Sequence, residues 1–298
     1  MQFGFTCAEC LMRTQLDRIR GQQDSEKKLA CAKEFFAILA NAPDGVAAPY
    51  LVPLFDEAYR RWFSMESDPQ QLLKQRSNAI LLERLPRLRE AVNAAEDPLL
   101  AALQFSRIGN YIDFAAFGND VDFGKLDALL DSAQTFPVDS AEYACFRNDL
   151  ENARSFLLIC DNAGEIVLDR LVLEVLSREY PALSLTACVR GAPALNDALR
   201  EDAEAAGLAA FARIIDNGSA IPGMEFDHLG NDARAALDTA DVILAKGQAN
   251  LETMLGCGKN IYYLFLCKCI RFTQMFRVPA MTGMLVNDRR VGPIDILA

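Results

Sequence analysis

The sequence predicts an α/β protein: a three-layer α/β/α sandwich on a mostly parallel sheet, with an N-terminal helical region ahead of it. Three observations carry that expectation. Residues 1–150 place apolar side chains at three- and four-residue spacing. Residues 151–298 alternate short β-rich runs with helical ones. Those short runs are apolar throughout, as strands are when helices cover both faces of a parallel sheet.

The elements follow in order. Helices are expected over 10–20, 26–40, 52–63, 70–85 and 98–109. Turn chemistry separates them at Asn41-Ala42-Pro43-Asp44-Gly45, Asp68-Pro69 and Asp97-Pro98. Strands are expected over 155–160, 183–189, 212–215, 242–245, 261–266 and 284–286. Helices over 165–179, 194–206, 230–239 and 251–255 lie between them. The chain thus divides into a mainly helical region, 1–150, and an α/β region, 151–298.

Composition narrows the function. With 298 residues, 51% of them hydrophobic, the chain can bury a sizeable core. A formal net charge of −11 argues against a nucleic-acid partner, which needs a basic footprint. Residues 1–10 carry no basic n-region and no long apolar core, so no secretory signal is expected. The most apolar stretch, 261–267, is far too short to span a membrane. Of nine cysteines, Cys160 and Cys188 fall in expected core strands. The expectation is a cytoplasmic protein with reduced thiols. The single histidine, His228, rules out multi-histidine zinc sites and reads as a surface residue. Nothing in the sequence fixes an oligomeric state.

Polar clusters follow the expected strands. Asp161-Asn162-Ala163-Gly164-Glu165 comes after the first. Arg190-Gly191 leads to Asn196-Asp197 after the second, Asp216-Asn217-Gly218-Ser219 follows the third, and Lys246-Gly247-Gln248-Ala249-Asn250 the fourth. The carboxyl ends of parallel strands converge on one crevice, so these clusters are expected to meet there. Asp161, Asn162 and Asp197 offer hard oxygen ligands suited to Mg or Mn. Gly164 permits close backbone approach, and the helix after it aims free N–H groups at an anion. Lys246 supplies a point charge for phosphate, and Asn250 and Asn217 supply hydrogen bonds. Glu165 reads either as a first-turn carboxylate or as a base for an attacking water. Arg190 reads either as a phosphate contact or as structural. Taken singly, each cluster also reads as an ordinary cap or turn.

Together these clusters resemble the domain-of-unknown-function 89 family, the metal-dependent damage-control phosphatases. Cys7-Ala8-Glu9-Cys10-Leu11-Met12-Arg13, Asp68-Pro69 with Lys74, and Gly109-Asn110-Tyr111-Ile112-Asp113-Phe114 resemble its prokaryotic branch. The resemblance implies a helical region packed on an α/β sandwich and a divalent metal, Mn, Co, Ni or Mg, in the crevice. It places the metal ligands on Asp161, Asn162 and Asp197, and a phosphate-contacting lysine on Lys246. It gives Asn110 a crevice-facing role. The implied activity is hydrolysis of phosphate monoesters of small metabolites, such as sugar phosphates or damaged phosphometabolites. Leu199 stands where the family often has threonine, and Leu251 where it often has an aromatic residue.

Two other functions suit the same architecture. A nucleotide- or S-adenosylmethionine-dependent transferase is expected to carry a glycine-rich loop after its first strand, and Asp161–Glu165 lacks the G-x-G-x-x-G pattern. A phosphometabolite sensor would bind without turnover. Cys7 and Cys10 form a C-x-x-C that, even with Cys267 and Cys269, has no standard zinc spacing; a disulfide or plain thiols are the expectation.

Overall fold

The computed structural model describes residues 1–63, 69–116 and 123–291, the side chains of 69, 110–116 and 123–125 excepted. Seven helices come first: α1 (Phe5–Arg20), α2 (Ser25–Ala40), α3 (Val52–Trp62), α4 (Pro69–Ala94), α5 (Pro98–Ala116), α6 (Phe123–Ser132) and α7 (Ser140–Asn152). Their starts are set by local chemistry. Asp24 accepts from the N–H groups of Glu26 and Lys27 at the head of α2, and Asp139 does the same for Ala141 and Glu142 at α7. Asp97 accepts from Leu100 N at 3.0 Å at the start of α5.

The second half alternates β1 (Ser155–Ile159), α8 (Glu165–Glu179), β2 (Ser184–Val189), α9 (Arg200–Ala205), β3 (Arg213–Asp216), α10 (Asn231–Thr239), β4 (Val242–Lys246), α11 (Gly247–Met254), β5 (Ile261–Cys267), α12 (Ile270–Phe276) and β6 (Thr282–Asn287). The sheet order is β3-β2-β1-β4-β5-β6. All neighbours are parallel except β5 and β6, which pair antiparallel. The mostly parallel α/β expectation is therefore met.

Side chains alternate across the sheet as strand geometry requires. Phe156 and Leu158 of β1 enter a core shared with α4, α5, α7 and α8. Leu157 and Ile159 enter the opposite core with residues of α10, α11 and α12. A third apolar cluster, built on Met12, Phe35 and Phe55, ties α1, α2 and α3 together. No described helix is long and apolar enough to cross a membrane.

Three expected boundaries move furthest. Helix α4 continues through Pro86 to Ala94. Helix α5 does not end at Gly109, which is where α5 crosses α8: a Cβ there would lie 2.8 Å from the Glu165 Cα. The helix expected over 194–206 shrinks to Arg200–Ala205, because residues 196–198 are drawn into extended pairing with the loop after β1.

The strand order reverses between β1 and β4, the place where open α/β sheets bind ligands beyond their carboxyl ends. The Asp161 turn and the Lys246-Gly247 junction both lie there.

Candidate active site

The first turn is built by a glycine and a helix from the other half of the chain. Beyond β1, Cys160 still donates to Cys188 O at 3.0 Å, and then the chain leaves the sheet. Gly164 adopts φ +79°, a conformation that side-chain-bearing residues seldom take, and its Cα faces Ser77 of α4. Its N–H donates to Asn78 Oδ1 at 2.6 Å. Asn78 Nδ2 in turn donates to Asp202 Oδ1 at 2.7 Å, and Lys74 Nζ sits 2.8 Å from Asp202 Oδ2. The sheet half of the site is thus braced by α4.

A short antiparallel bridge joins Asn162 to Asp197. Ala163 N donates to Asn196 O at 2.9 Å, and Ala198 N donates to Asp161 O at 2.8 Å. This pairing clips the loop after β2 onto the turn after β1 and brings Asp161, Asn162 and Asp197 together. Asn162 Nδ2 donates to Asp161 Oδ2 at 2.8 Å and to Glu165 Oε2 at 3.3 Å. Arg190 Nε donates to Asp197 Oδ2 at 2.7 Å, and the guanidinium also reaches Gly223 O. Asp197 is buried, and that burial pushes its carboxyl up while Arg190 pulls it down. Asp161 is the partly exposed carboxylate of the set; Glu165 and Asp197 are buried.

The opposite wall comes from β4 and α11. Gly247 holds φ +75°, and a Cβ on it would collide with the Asp161 carboxylate. Only glycine lets that carboxylate sit at the head of α11. Lys246, one residue earlier, is completely buried. Its ammonium lies 2.5 Å from Glu165 Oε1, 3.0 Å from Asp169 Oδ1 and 2.9 Å from Ser106 O. Desolvation alone would lower its pKa, yet Asp169 and Glu165 raise it, so the lysine stays charged. Asp169 is pushed up to about 6 by its burial, against the pull of Lys246. Ser106 Oγ donates to Asp169 Oδ1 at 2.6 Å.

Several sequence expectations are refined. Lys246 was expected to meet phosphate directly; here its ammonium lies against two carboxylates and a carbonyl. Asn217 was expected at the substrate. It is fully buried, its Oδ1 accepting from Gly191 N and Ser219 N and its Nδ2 donating to Gly223 O, so it braces the loops. Arg190 lies buried beside Asp197, 2.7 Å from its Oδ2. Asn250 caps the Lys246 and Cys160 carbonyls through Nδ2, while its buried Oδ1 has no partner. The side chain of Asn110 and the Asp68-Pro69 and 111–114 motif residues lie outside the described side chains. All nine cysteines are free thiols, and Cys7 Sγ meets the Arg271 guanidinium at 3.4 Å.

Sequence reasoning missed Asn78, Ser106, Asp169 and Asp202. Asp169 had a signal: it falls four residues after Glu165 in the otherwise apolar opening of α8, on the same helix face.

The donor set fits a divalent cation. Two carboxylates and an amide oxygen are hard ligands, and the adjoining Asn250 Oδ1 is a further oxygen without a partner. Among the described residues the cluster is net acidic, with Asp161, Glu165, Asp169 and Asp197 facing Lys246 and Arg190. Among the described residues no group of three His, Cys, Asp or Glu side chains is placed to hold a metal, so a cation site here would have to draw on the Asn162 amide.

The chain is similar to several known proteins. The family profile described as the damage-control phosphatase ARMT1-like domain matches residues 5–281. An uncharacterized protein of Methanocaldococcus jannaschii is 31% identical over 274 residues, covering 88% of each chain. A damage-control phosphatase of Archaeoglobus fulgidus is 30% identical over 279 residues, covering 90% of this chain and 93% of its own. The crystal structure of a DUF89 family protein from Pyrococcus horikoshii has the same fold, with a TM-score of 0.81 at 23% identity over 97% of this chain and 99% of that one. Along nearly its whole length, therefore, the chain belongs to the damage-control phosphatase ARMT1-like family.

Proposed function

We propose that this protein is a divalent-metal-dependent phosphatase that hydrolyses phosphate monoesters of small metabolites, including damaged ones. The observation that carries the reading is the Asn162–Asp197 bridge, which gathers two carboxylates and an amide at the switch point of the sheet. The name of the Archaeoglobus relative supports the reaction class.

Asp161, Asn162 and Asp197 would hold the cation, with Mn, Co, Ni and Mg as candidates. When bound, such a cation supplies Lewis-acid polarisation of a phosphoryl oxygen and neutralises developing charge. The rest is the work of this chain's own groups. Asp161, the partly exposed carboxylate, faces the ester. Lys246 holds Glu165 in place, and Glu165 orients the Asn162 amide at 3.3 Å. The head of α11, against which the Asp161 carboxylate lies, favours an anion in the crevice. Arg190 fixes Asp197 so that its carboxylate does not wander between turnovers.

The test is phosphate release from p-nitrophenyl phosphate and a panel of sugar phosphates, with Mn, Mg, Co or Ni, before and after chelation. The proposal expects turnover that chelation abolishes and metal restores. Failure of every ester with every metal would remove it.

A further inference from the structure

The lysine expected at phosphate, Lys246, has no exposed surface and lies against Glu165, Asp169 and Ser106 O. The Arg190 guanidinium is engaged with Asp197 and Gly223 O. A phosphate dianion entering the crevice needs a cation with donors to spare. The helical half of the chain supplies one, Lys74 of α4.

Lys74 belongs to the face of α4 that covers the Asp161 turn. Residues 74, 77 and 78 share that face, because three- and four-residue steps along a helix are neighbours. Ser77 packs on Gly164, where a Cβ would lie 3.0 Å from the Ser77 Cβ, and Asn78 Oδ1 accepts from Gly164 N at 2.6 Å. One turn earlier, the Lys74 ammonium lies 2.8 Å from Asp202 Oδ2. The same oxygen accepts from Leu199 N at 2.8 Å. Leu199 is two residues beyond Asp197, so Lys74 also stands against the loop that carries Asp197. Burial pushes the Asp197 carboxyl up, and Arg190 and then Lys74 pull it back. Lys74 thus sits where the two loops bearing Asp161, Asn162 and Asp197 meet.

Two features set it apart from a lysine that only braces the fold. Asp202 is already held by other donors, Asn78 Nδ2 at 2.7 Å and Leu199 N at 2.8 Å. Among the described residues, Asp202 is also the one ion-pair partner of Lys74, whereas an ammonium carries three donors. Donors left unmade on a buried charge are costly. Lys74 is 7% exposed, against none for Lys246, so a little of it stays open. A tetrahedral anion with several acceptor oxygens matches what the fold leaves unfilled.

Resting on the phosphatase reading, we propose that Lys74 rather than Lys246 is the lysine that contacts the phosphoryl group of the substrate, donating from its ammonium to a phosphoryl oxygen beside Asp197.

The experiment measures binding of inorganic phosphate to the Mn-loaded protein by calorimetry, in the parent, Lys74→Gln and Lys74→Arg. Mn affinity without phosphate is measured on the same samples. Glutamine removes the charge, and Asp202 keeps Asn78 and Leu199 as donors. Lys74→Gln is expected to weaken phosphate binding about tenfold or more, the size of a hydrogen bond to a charged group, and to leave Mn binding near that of the parent. Lys74→Arg keeps a charged donor and is expected to bind phosphate more tightly than Lys74→Gln. Unchanged phosphate affinity in Lys74→Gln overturns the assignment. Equal losses of phosphate and Mn affinity also overturn it, since they mark a brace and not a contact. A crystal of the parent grown with Mn and phosphate decides the contact without any variant. Lys74 Nζ within hydrogen-bond distance of a phosphate oxygen is expected; phosphate held by other groups alone, or no phosphate binding by the parent, overturns it. A parent that binds phosphate through Lys74 yet turns over no ester removes the phosphatase reading and leaves the contact standing.

Discussion

The carboxylate of Asp161 rests on the bare Cα of Gly247. A Cβ at that position would lie 1.9 Å from Oδ2 and 2.2 Å from Cγ. Two strands adjacent at the switch point, β1 and β4, are thereby linked through one acid and one glycine. Gly247→Ala should push Asp161 out of place while leaving both cores intact. Misplacement by about 1 Å can cost on the order of 100-fold in rate, so a loss of that size in kcat/KM is expected, with a modest fall in Tm. Steady-state kinetics and calorimetry on the same preparation check it. Full activity in the alanine variant would show that the site does not depend on this contact.

Lys246 is the hub of a buried charge cluster, with Glu165 and Asp169 on either side. Lys246→Met leaves two carboxylates in the core without their cation. Breaking a buried pair from one side costs about 3–5 kcal/mol. Urea denaturation should show a fall of that size with an unchanged m-value. A loss under about 1 kcal/mol would mean that the carboxylates find other partners or protonate freely.

The titration of Asp169 gives a pH dependence with a definite sign. Burial raises its carboxyl to about 6, whereas an aspartate in an unfolded chain titrates near 3.9. Between those values the native state keeps a proton that the unfolded chain has released. The group's stabilising contribution is therefore complete below the unfolded value and is lost as pH rises through about 6. Asp169→Asn removes that dependence. The Tm difference, variant minus parent, should climb as pH rises through this window and level off above it; a difference flat with pH contradicts the reading.

Much of this architecture was legible because it follows from local pattern. Strands β1, β2, β4 and β5 fall within about two residues of their apolar runs, since buried parallel strands need continuous apolar stretches. The Asp161 turn was legible because Asp161, Asn162 and Gly164 are contiguous. Asp197 was placed at the crevice, yet its loop was expected to be helical; only the bridge to Asn162 shows why it is extended. Helices α6, α7 and α12 were not anticipated. Asn78, Ser106 and Asp202 were illegible for another reason. Each acts through a partner more than sixty residues away in sequence, such as Asp169 for Ser106 and Gly164 for Asn78, and no local spacing encodes such a contact. The donors of Lys246 were unreadable on the same ground: sequence gives its charge but not the carboxylates that claim it.

The central claim is that Asp161, Asn162 and Asp197 form one cation site on which turnover depends. Its most direct test is titration of the metal-stripped protein with Mn, followed by paramagnetic resonance or calorimetry, on the parent and on Asp161→Ala and Asp197→Ala, with phosphate release measured on the same samples. The account predicts saturable binding in the parent, loss of about 100-fold or more in affinity in both variants, and turnover that falls in step with occupancy. Undiminished Mn affinity in both variants, or turnover that persists in them, would contradict it.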